Sequence, residues 1–301
     1  MSDVKSSFSG EHVQLPSAKA DPGDRLLEYD QLPDWQRDNR YIFTGYRRAT
    51  HSYKKAAQSL AYIHNQTGNI FSHLLAMPLL VTAVSLALVL QDIPLDPTDI
   101  AIFAIFALGA TTCFLLSTTF HTFACHSPTV EALWLRLDFL GIAVLTASTF
   151  ISGEYYLFYC EPTRQAIHFS ITSSLALLTI LVLTLPTFQG PRYRPFRLLC
   201  FSLLGLSGFA PMIDSLLHHG WIHARRYSVG YYLVEMLVEI VGAVLYASRV
   251  PERFAPGRFD LWAHSHQWFH LCAVAGTGVH VAGLTSAVEN TKGIDRCLVG
   301  W

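Results

Sequence analysis

Seven long apolar stretches constrain the fold of this chain more than any other feature of its sequence. An α-helix needs roughly 20 mostly apolar residues to cross a bilayer, and each stretch meets that length. The stretches cover residues 69–90, 99–121, 132–152, 166–186, 197–217, 228–248 and 267–287. Charged residues make up only 14% of the chain, whereas soluble domains average about 25%. The sequence therefore predicts an all-α bundle of seven transmembrane helices, an integral multi-pass membrane protein.

The segments outside these stretches suggest a simple domain organisation. Residues 1–40 are polar and rich in Pro, Ser, Gly and Asp, without an apolar signal-peptide core, so we expect a disordered N-terminal segment. Residues 41–68 would form a cytosolic pre-membrane segment. The seven-helix membrane domain would span 69–290, and residues 291–301 would be a short non-cytosolic tail.

The distribution of lysine and arginine predicts the orientation. Counted over alternate loops, twelve basic residues flank the spans on the N-terminal side and five on the other. The first group is Arg37, Arg40, Arg47, Arg48, Lys54, Lys55, Arg192, Arg194, Arg197, Arg249, Arg253 and Arg258; the second is Arg164, Arg225, Arg226, Lys292 and Arg296. Because cytosolic loops carry the excess of positive residues, we expect a cytosolic N-terminus and a C-terminus on the opposite side.

Charge and cysteine content exclude several function classes. The formal net charge is −1 and no basic patch or nucleic-acid motif stands out, so no nucleic-acid partner is expected. The six cysteines are scattered and form no CxxC pair, so they indicate neither a disulfide framework nor a thiolate zinc site.

Five polar side chains are predicted to reach a similar depth near the cytosolic boundary. Ser117 and His121 are four residues apart at the end of the second span, and Asp138 lies one to two turns inside the third. His266 and His270 are four residues apart at the start of the seventh span, so they share one helix face. Since ionisable groups within spans face the bundle interior and find one another, we expect these side chains to converge.

The chemistry of this set predicts a zinc site. Three imidazoles with an open position for water are typical of catalytic zinc, and the Asp138 carboxylate could orient an imidazole or hold the water. Each motif alone has a plainer interpretation: the His266–His270 pair could cap its helix, Ser117 could join two helices, and Asp138 could pair with Arg136. A closed structural zinc, with Cys125 as the best fourth ligand, and a zinc-transport role remain open alternatives.

The chain resembles the progestin and adipoQ receptor family, which includes the adiponectin receptors, fungal zinc-homeostasis homologues and hemolysin III proteins. The similarity rests on several motifs in the same order along the membrane domain. These motifs are Leu32-Pro33-x-Trp35-x2-Asp38-Asn39-x-Tyr41-Ile42-x2-Gly45-Tyr46-Arg47, His64-Asn65-x-Thr67-Gly68-Asn69-Ile70-x2-His73, Ser117-x3-His121-Thr122-x2-Cys125-His126-Ser127, Leu137-Asp138-x2-Gly141-Ile142, Tyr155-Tyr156-x-Phe158-Tyr159-Cys160, and Tyr246-x2-Arg249-x-Pro251-Glu252-Arg253-x2-Pro256-Gly257-x-Phe259-Asp260 leading into Ser265-His266-Gln267-x2-His270.

The resemblance implies a seven-helix fold with a cytosolic N-terminus, in agreement with the distribution of basic residues. It also implies Zn²⁺ near the cytosolic leaflet, held by His121, His266 and His270, with Asp138 contacting the zinc-bound water and Ser117 nearby. In the receptor-type members the similarity extends to the hydrolysis of lipid amides such as ceramides.

Two functions follow as competing hypotheses. The first is a zinc-dependent, ceramidase-like lipid amide hydrolase, whose partner is a membrane lipid substrate. The second is a non-enzymatic seven-helix receptor with a structural zinc, which would respond to an extracellular ligand and act in signalling or in lipid and zinc homeostasis. Either protein would reside in the plasma membrane or an endomembrane.

Overall fold

The chain folds into a bundle of long helices with one small β-ribbon at one end. The computed structural model describes residues 26–188, 191–226 and 228–292. Two short strands, β1 (Leu26–Leu27) and β2 (Tyr46–Arg47), pair antiparallel. The helices are α1 (Tyr53–Gln58), α2 (Thr67–Val89), α3 (Pro97–Phe123), α4 (Pro128–Leu157), α5 (Pro162–Thr184), α6 (Arg194–Ser207), α7 (Phe209–Arg226), α8 (Val229–Ser248) and α9 (Ser265–Lys292).

Six helical segments of the described chain are long and apolar enough to cross a membrane. They are Thr67–Val89, Pro97–Phe123, Pro162–Thr184, Pro195–Ile222, Val229–Ser248 and Ser265–Thr291. Large apolar side chains such as Leu79, at 68% exposure, and Leu108 cover the outside of the bundle, as expected of a surface that faces lipid tails. The prediction of an all-α membrane bundle is confirmed.

The third predicted span, 132–152, lies within the thirty-residue helix α4. This helix is absent from the six apolar segments, and it carries buried polar side chains including Asp138, Ser152 and Glu154. It packs along α3 in the bundle. The count of seven spans and the orientation of the termini stay predictions.

Residues 26–40, part of the N-terminal segment predicted to be disordered, include β1 and two short 3₁₀ turns, whereas residues 1–25 of that segment lie outside the described residues. This part of the chain packs on the loop between α8 and α9. The Asn39 side-chain amide donates to Glu252 Oε1 at 3.0 Å, and Asp260 accepts the backbone N–H groups of Phe43 and Thr44, each at 2.9 Å. The partners lie more than 200 residues away in the chain, so composition could not indicate them.

A close approach of α3 and α4 positions one side of the candidate site. A β-carbon at Gly141 of α4 would lie 2.9 Å from the Cα of Cys113 in α3. Only a glycine therefore lets the two backbones come this close. Gly141 is three residues after Asp138 and Cys113 four before Ser117, so this contact sets the spacing between the two polar side chains.

We expect Gly141→Ala to lower the melting temperature of the purified protein, because the added methyl group must push two helix backbones apart at a cost of about 1–3 kcal/mol. Gly205→Ala in α6 is the matched control, since nothing lies within 4 Å of a β-carbon there. The control should melt at the same or a slightly higher temperature, because alanine favours helix over glycine. Equal melting of both variants would contradict the proposed helix contact.

Candidate metal centre

Three histidines meet at one end of the bundle. His121 lies in the last turn of α3, and His266 and His270 lie one turn apart at the start of α9. One ring nitrogen from each of the three side chains lies within 4.8 Å of the others, which is close enough for a shared metal ion. His121 and His270 are 2% and 1% exposed. The three side chains that the sequence singled out as metal ligands are thus brought together from two helices.

Hydrogen bonds on the far side of two rings orient them. His121 Nδ1 lies 2.8 Å from Gln66 Oε1, and His270 Nδ1 lies 3.1 Å from the carbonyl oxygen of Asn69. Because a carbonyl or amide oxygen can only accept, each Nδ1 carries the proton and each Nε2 keeps its lone pair. This is the usual arrangement around a metal-binding histidine.

One further observation tests whether a metal suits the site. His121 Nε2 is buried and has no hydrogen-bond partner in the described part of the chain. Leaving a buried nitrogen unpaired costs free energy, and a coordinated cation would remove that cost. Three neutral imidazoles suit Zn²⁺ among the divalent metals, so the residues present fit the predicted zinc.

Ser117 lies beside the histidines on α3, and Asp138 lies on the neighbouring helix α4. Ser117 is one turn before His121 on α3, and the carboxyl group of Asp138 on α4 lies close to the Ser117 side chain. Both residues are buried. Asp138 is not part of the three-residue ligand group found among the described residues. The role of Asp138 beside a metal stays a prediction.

Cys125, the alternative fourth ligand, points elsewhere. Its thiol is buried and contacts the carbonyl oxygen of Thr122 at 3.9 Å. It does not belong to the ligand group in the described residues. Among the described residues the group therefore offers three possible ligands, whereas a closed structural site usually has four.

Glu252 anchors the beginning of the helix that carries two of the histidines. Its carboxylate is fully buried and accepts from the backbone N–H of Ser265 at 2.8 Å, as well as from Asn39. Burial alone would raise the pKa of Glu252, but hydrogen bonds from Ser265 and Asn39 outweigh it and hold that pKa below its usual value. The anionic carboxylate therefore fixes the first turn of α9, where His266 lies.

Arg47 holds the end of α3, a role that the sequence did not reveal. The guanidinium group is 4% exposed and donates to the carbonyl oxygens of His121 at 2.6 Å and Thr122 at 2.9 Å. The last carbonyls of a helix have no intrahelical partner, so Arg47 satisfies two of them at and next to His121. In the sequence it was one of several basic residues flanking the first span. The signal available in the sequence was that Arg47 directly follows Gly45 and Tyr46 in the pre-membrane motif shared with the family.

We expect Arg47→Met to lower the melting temperature and to weaken zinc retention by about tenfold, because two buried carbonyls lose their donor and His121 loses its support. Arg48→Met is the matched control, since the neighbouring arginine is exposed and should leave both properties unchanged. Thermal melting and competition with a zinc chelator measure the two effects. Equal behaviour of the two variants would show that Arg47 does not position the site.

His73 packs against one of the three histidines, a contact that the sequence did not reveal. Its ring stacks on that of His270, with centroids 3.9 Å apart and planes 5° from parallel. Both of its nitrogens are buried without a hydrogen-bond partner in the described residues. His73 is not in the ligand group there, so it supports the orientation of His270. Because histidine is rare within apolar membrane spans, its presence in one could have indicated that His73 lies near a functional site.

Comparison with known proteins agrees with the earlier resemblance. A family model described as Haemolysin-III related matches residues 61–281. An adiponectin receptor protein of Drosophila melanogaster is 36% identical over 276 residues, which cover 91% of this chain and 62% of that protein. Progestin and adipoQ receptor-like protein 1 of Caenorhabditis elegans is 34% identical, over 87% of this chain and 60% of its own length. The ADIPOR-like receptor IZH1 of Eremothecium gossypii is 36% identical, over 87% and 84%. The chain thus spans about three fifths of the two animal relatives.

Proposed function

This chain belongs to the Haemolysin-III related family, and we propose that it is a zinc-dependent lipid amide hydrolase acting near the cytosolic leaflet. It is an adiponectin-receptor-like, integral multi-pass membrane protein. The observation that carries the proposal is the convergence of three imidazoles, whose ring nitrogens lie within 4.8 Å of one another. A buried carboxyl group, that of Asp138, lies on the adjacent helix close to Ser117.

His121, His266 and His270 would hold the zinc. Bound there, Zn²⁺ would polarise a carbonyl oxygen and lower the pKa of a coordinated water toward roughly 7. Gln66 and Asn69 keep the rings of His121 and His270 in the tautomer that presents Nε2. The chain itself therefore supplies a ligand set that is oriented before any substrate arrives.

Asp138 is the group that would move protons. Its carboxylate would accept a proton from the attacking water and pass it to the nitrogen of the leaving amine. The Ser117 hydroxyl lies close to that carboxylate, and by donating to it would keep it directed at the reacting atoms. Because Asp138 is only 8% exposed, bulk water does not compete for the proton.

The position of the site favours a lipid as substrate. The histidines lie in helices whose outer surfaces are covered by exposed leucines and isoleucines. A molecule that enters between such helices must itself be apolar, whereas a soluble peptide would have to leave water. We therefore propose an amide of a long-chain fatty acid, of the ceramide class, as the substrate.

A receptor function remains the second candidate, because the matched relatives carry receptor names. In that case zinc would join α3 to α9, and an extracellular ligand would shift their packing. A structural zinc normally has four protein ligands, whereas this ligand group has three. The three-ligand set favours hydrolysis. Any receptor activity would then regulate that hydrolysis.

The proposal is tested with zinc-loaded protein purified into nanodiscs and incubated with a panel of lipid amides and esters. We expect release of free fatty acid from amides, and loss of that release after zinc is removed with a chelator and its return when zinc is restored. A relative with demonstrated hydrolysis serves as the positive control. If the relative releases fatty acid and this protein releases none, the hydrolase proposal is wrong and the receptor hypothesis stands.

A further inference from the structure

A small cavity of about 30 Å³ lies among the helices, away from the metal centre. Its lining comes mainly from α4, α7, α8 and α9, and includes Glu154, Tyr232 and Glu235. The volume is enough for a water molecule, which needs at least about 10–15 Å³. Whatever occupies this cavity must therefore be a water molecule or an ion of similar size.

The cavity lies towards the other end of the bundle from the three metal-binding histidines. His280, which lines it, is ten residues after His270 on α9, a separation of roughly 15 Å at the helical rise per residue. Glu154 is three residues before the end of α4, and Tyr232 is three residues after the start of α8. An occupant would thus lie about one turn from the ends of these two helices, and it would not contact the zinc ligands.

Glu154 brings a carboxyl group to the cavity without a basic partner. It is 2% exposed, and its Oε1 accepts a hydrogen bond from the Thr172 hydroxyl at 2.7 Å. Its Oε2 is buried and has no hydrogen-bond partner among the described residues. The ion pairs in that part of the chain do not include Glu154. Because a buried carboxylate is costly unless its charge is balanced, Glu154 needs either a proton or a bound cation.

Tyr232 brings a second unpaired oxygen to the same cavity. Its hydroxyl is buried and has no hydrogen-bond partner among the described residues. The ring lies over Gly153, the residue before Glu154, where a β-carbon would come within 3.4 Å of the phenol carbon Cζ that carries the hydroxyl. Buried polar atoms without a partner are rare and call for an explanation. Two such oxygens on one water-sized cavity indicate a shared ligand.

Glu235 and His280, which also line the cavity, are neutral as a pair. The Ser152 hydroxyl donates its one proton to the Thr149 carbonyl at 2.9 Å, so His280 Nε2 must donate in its own 2.9 Å contact with Ser152 Oγ. At the 2.8 Å contact between His280 Nδ1 and Glu235 Oε2 there are then two choices. Either an imidazolium faces a carboxylate, or a neutral imidazole accepts from a protonated carboxyl group. The net charge is zero in both cases, which leaves Glu154 as the single unbalanced acid of the lining.

We propose that this cavity binds one sodium ion, held by the Glu154 carboxylate and the Tyr232 hydroxyl oxygen. Oxygen ligands suit hard cations, and one unbalanced carboxylate calls for a single positive charge. A water-sized cavity admits an ion only without its hydration shell, and a divalent ion such as Mg²⁺ gives up that shell reluctantly. A charged carboxylate has a stronger field than a carbonyl dipole, which favours the smaller sodium ion over potassium. The bound ion would join α4 to α8.

The simpler occupant is a water molecule beside a protonated Glu154. Such a water would satisfy the same two oxygens. The two occupants predict different responses to salt. A sodium site stabilises the folded protein as sodium is added, because the ion binds the native state. A water site responds only to ionic strength, equally for every monovalent salt.

The test is thermal melting of the purified full chain in sodium, potassium or choline chloride at equal ionic strength. We expect sodium to raise the melting temperature saturably, by about 2–4 °C over choline at concentrations well above its dissociation constant, because ligand binding adds to the free energy of unfolding. Potassium should have a smaller effect. Binding of radioactive ²²Na⁺ to the same protein should saturate at about one ion per chain.

Variants locate the ion. Glu154→Gln keeps the shape but loses the charge, and should abolish both the sodium-dependent stabilisation and ²²Na⁺ binding. Tyr232→Phe removes one ligand oxygen and should weaken sodium binding by about tenfold. Glu239→Gln is the matched control, since Glu239 lies on α8 one turn after Glu235 but outside the cavity lining; it should respond to sodium as the wild type does. His121→Ala should also respond, because the ion does not depend on zinc.

Three results would overturn the proposal. The first is wild-type protein that melts at the same temperature in sodium and in choline chloride. The second is ²²Na⁺ binding that persists unchanged in Glu154→Gln or in Tyr232→Phe, because the ion would then lie elsewhere. The third is equal stabilisation by sodium and potassium, which would contradict the assignment to sodium. Loss of hydrolysis with sodium binding intact would concern the metal centre alone.

Discussion

Replacing His121 with alanine is expected to remove zinc from the purified protein and to reduce lipid amide hydrolysis by at least about 100-fold. The reason is geometric. His121 is the only one of the three histidines that lies in α3, and its Nε2 is a buried nitrogen without a partner in the described residues. His270→Ala should have the same effect, since it leaves one imidazole on each helix. Elemental analysis of the wild type should give about one zinc per chain.

His126→Ala is the control for this experiment. His126 lies in the turn just after α3, where its Nδ1 lies 3.0 Å from the Ser127 hydroxyl, and it is not in the ligand group of the described chain. This variant should keep its zinc. Wild-type protein that carries no zinc, or His121→Ala protein that retains it, would refute the metal centre.

Asp138→Asn is expected to retain zinc and to lose hydrolysis by at least about 100-fold, because an amide cannot take the proton from the attacking water. The substitution preserves the size of the side chain and keeps an oxygen that can accept a hydrogen bond from the nearby Ser117. Zinc content, measured as above, and fatty-acid release, measured on the same preparation, separate metal binding from catalysis.

Glu131→Gln on the same helix is the matched control, since it removes a partly buried carboxylate two turns before Asp138. It should leave both properties unchanged. If Asp138→Asn hydrolyses lipid amides as fast as the wild type, Asp138 is not the proton carrier. A protein that binds zinc but shows no hydrolysis even as the wild type would instead support a structural zinc in a receptor.

Much of the membrane fold could be predicted because hydropathy is a property of each residue and its neighbours. The apolar stretches predicted helices at the positions where α2, α3, α5, α8 and α9 lie. The fifth stretch, 197–217, proved to be two helices, α6 and α7, that meet at Gly208. At that position a β-carbon would lie 2.4 Å from the ring of Phe150 in α4, a contact that local composition does not reveal.

The residues of the candidate site could be predicted from the sequence for a related reason. A histidine or aspartate within an apolar stretch is costly to bury, so His121, Asp138, His266 and His270 each attract attention without knowledge of the fold. Their similar predicted depth then suggested a common site. The sequence did not reveal the groups that orient them. Gln66 lies 55 residues before His121, and Asn69 lies 201 residues before His270.

By itself the sequence determined that the chain forms membrane-spanning helices and that a few imidazoles and carboxyl groups must be buried among them. Both conclusions depend on the free energy of transferring single side chains out of water. That free energy is a property of each residue type and does not depend on the fold. Only the tertiary structure decided the partners: Arg47 on the end of α3, Glu252 at the start of α9, and the contact of His280 with Ser152, 128 residues away. A hydrogen bond requires two atoms within about 3 Å, and the packing of distant helices alone sets that distance.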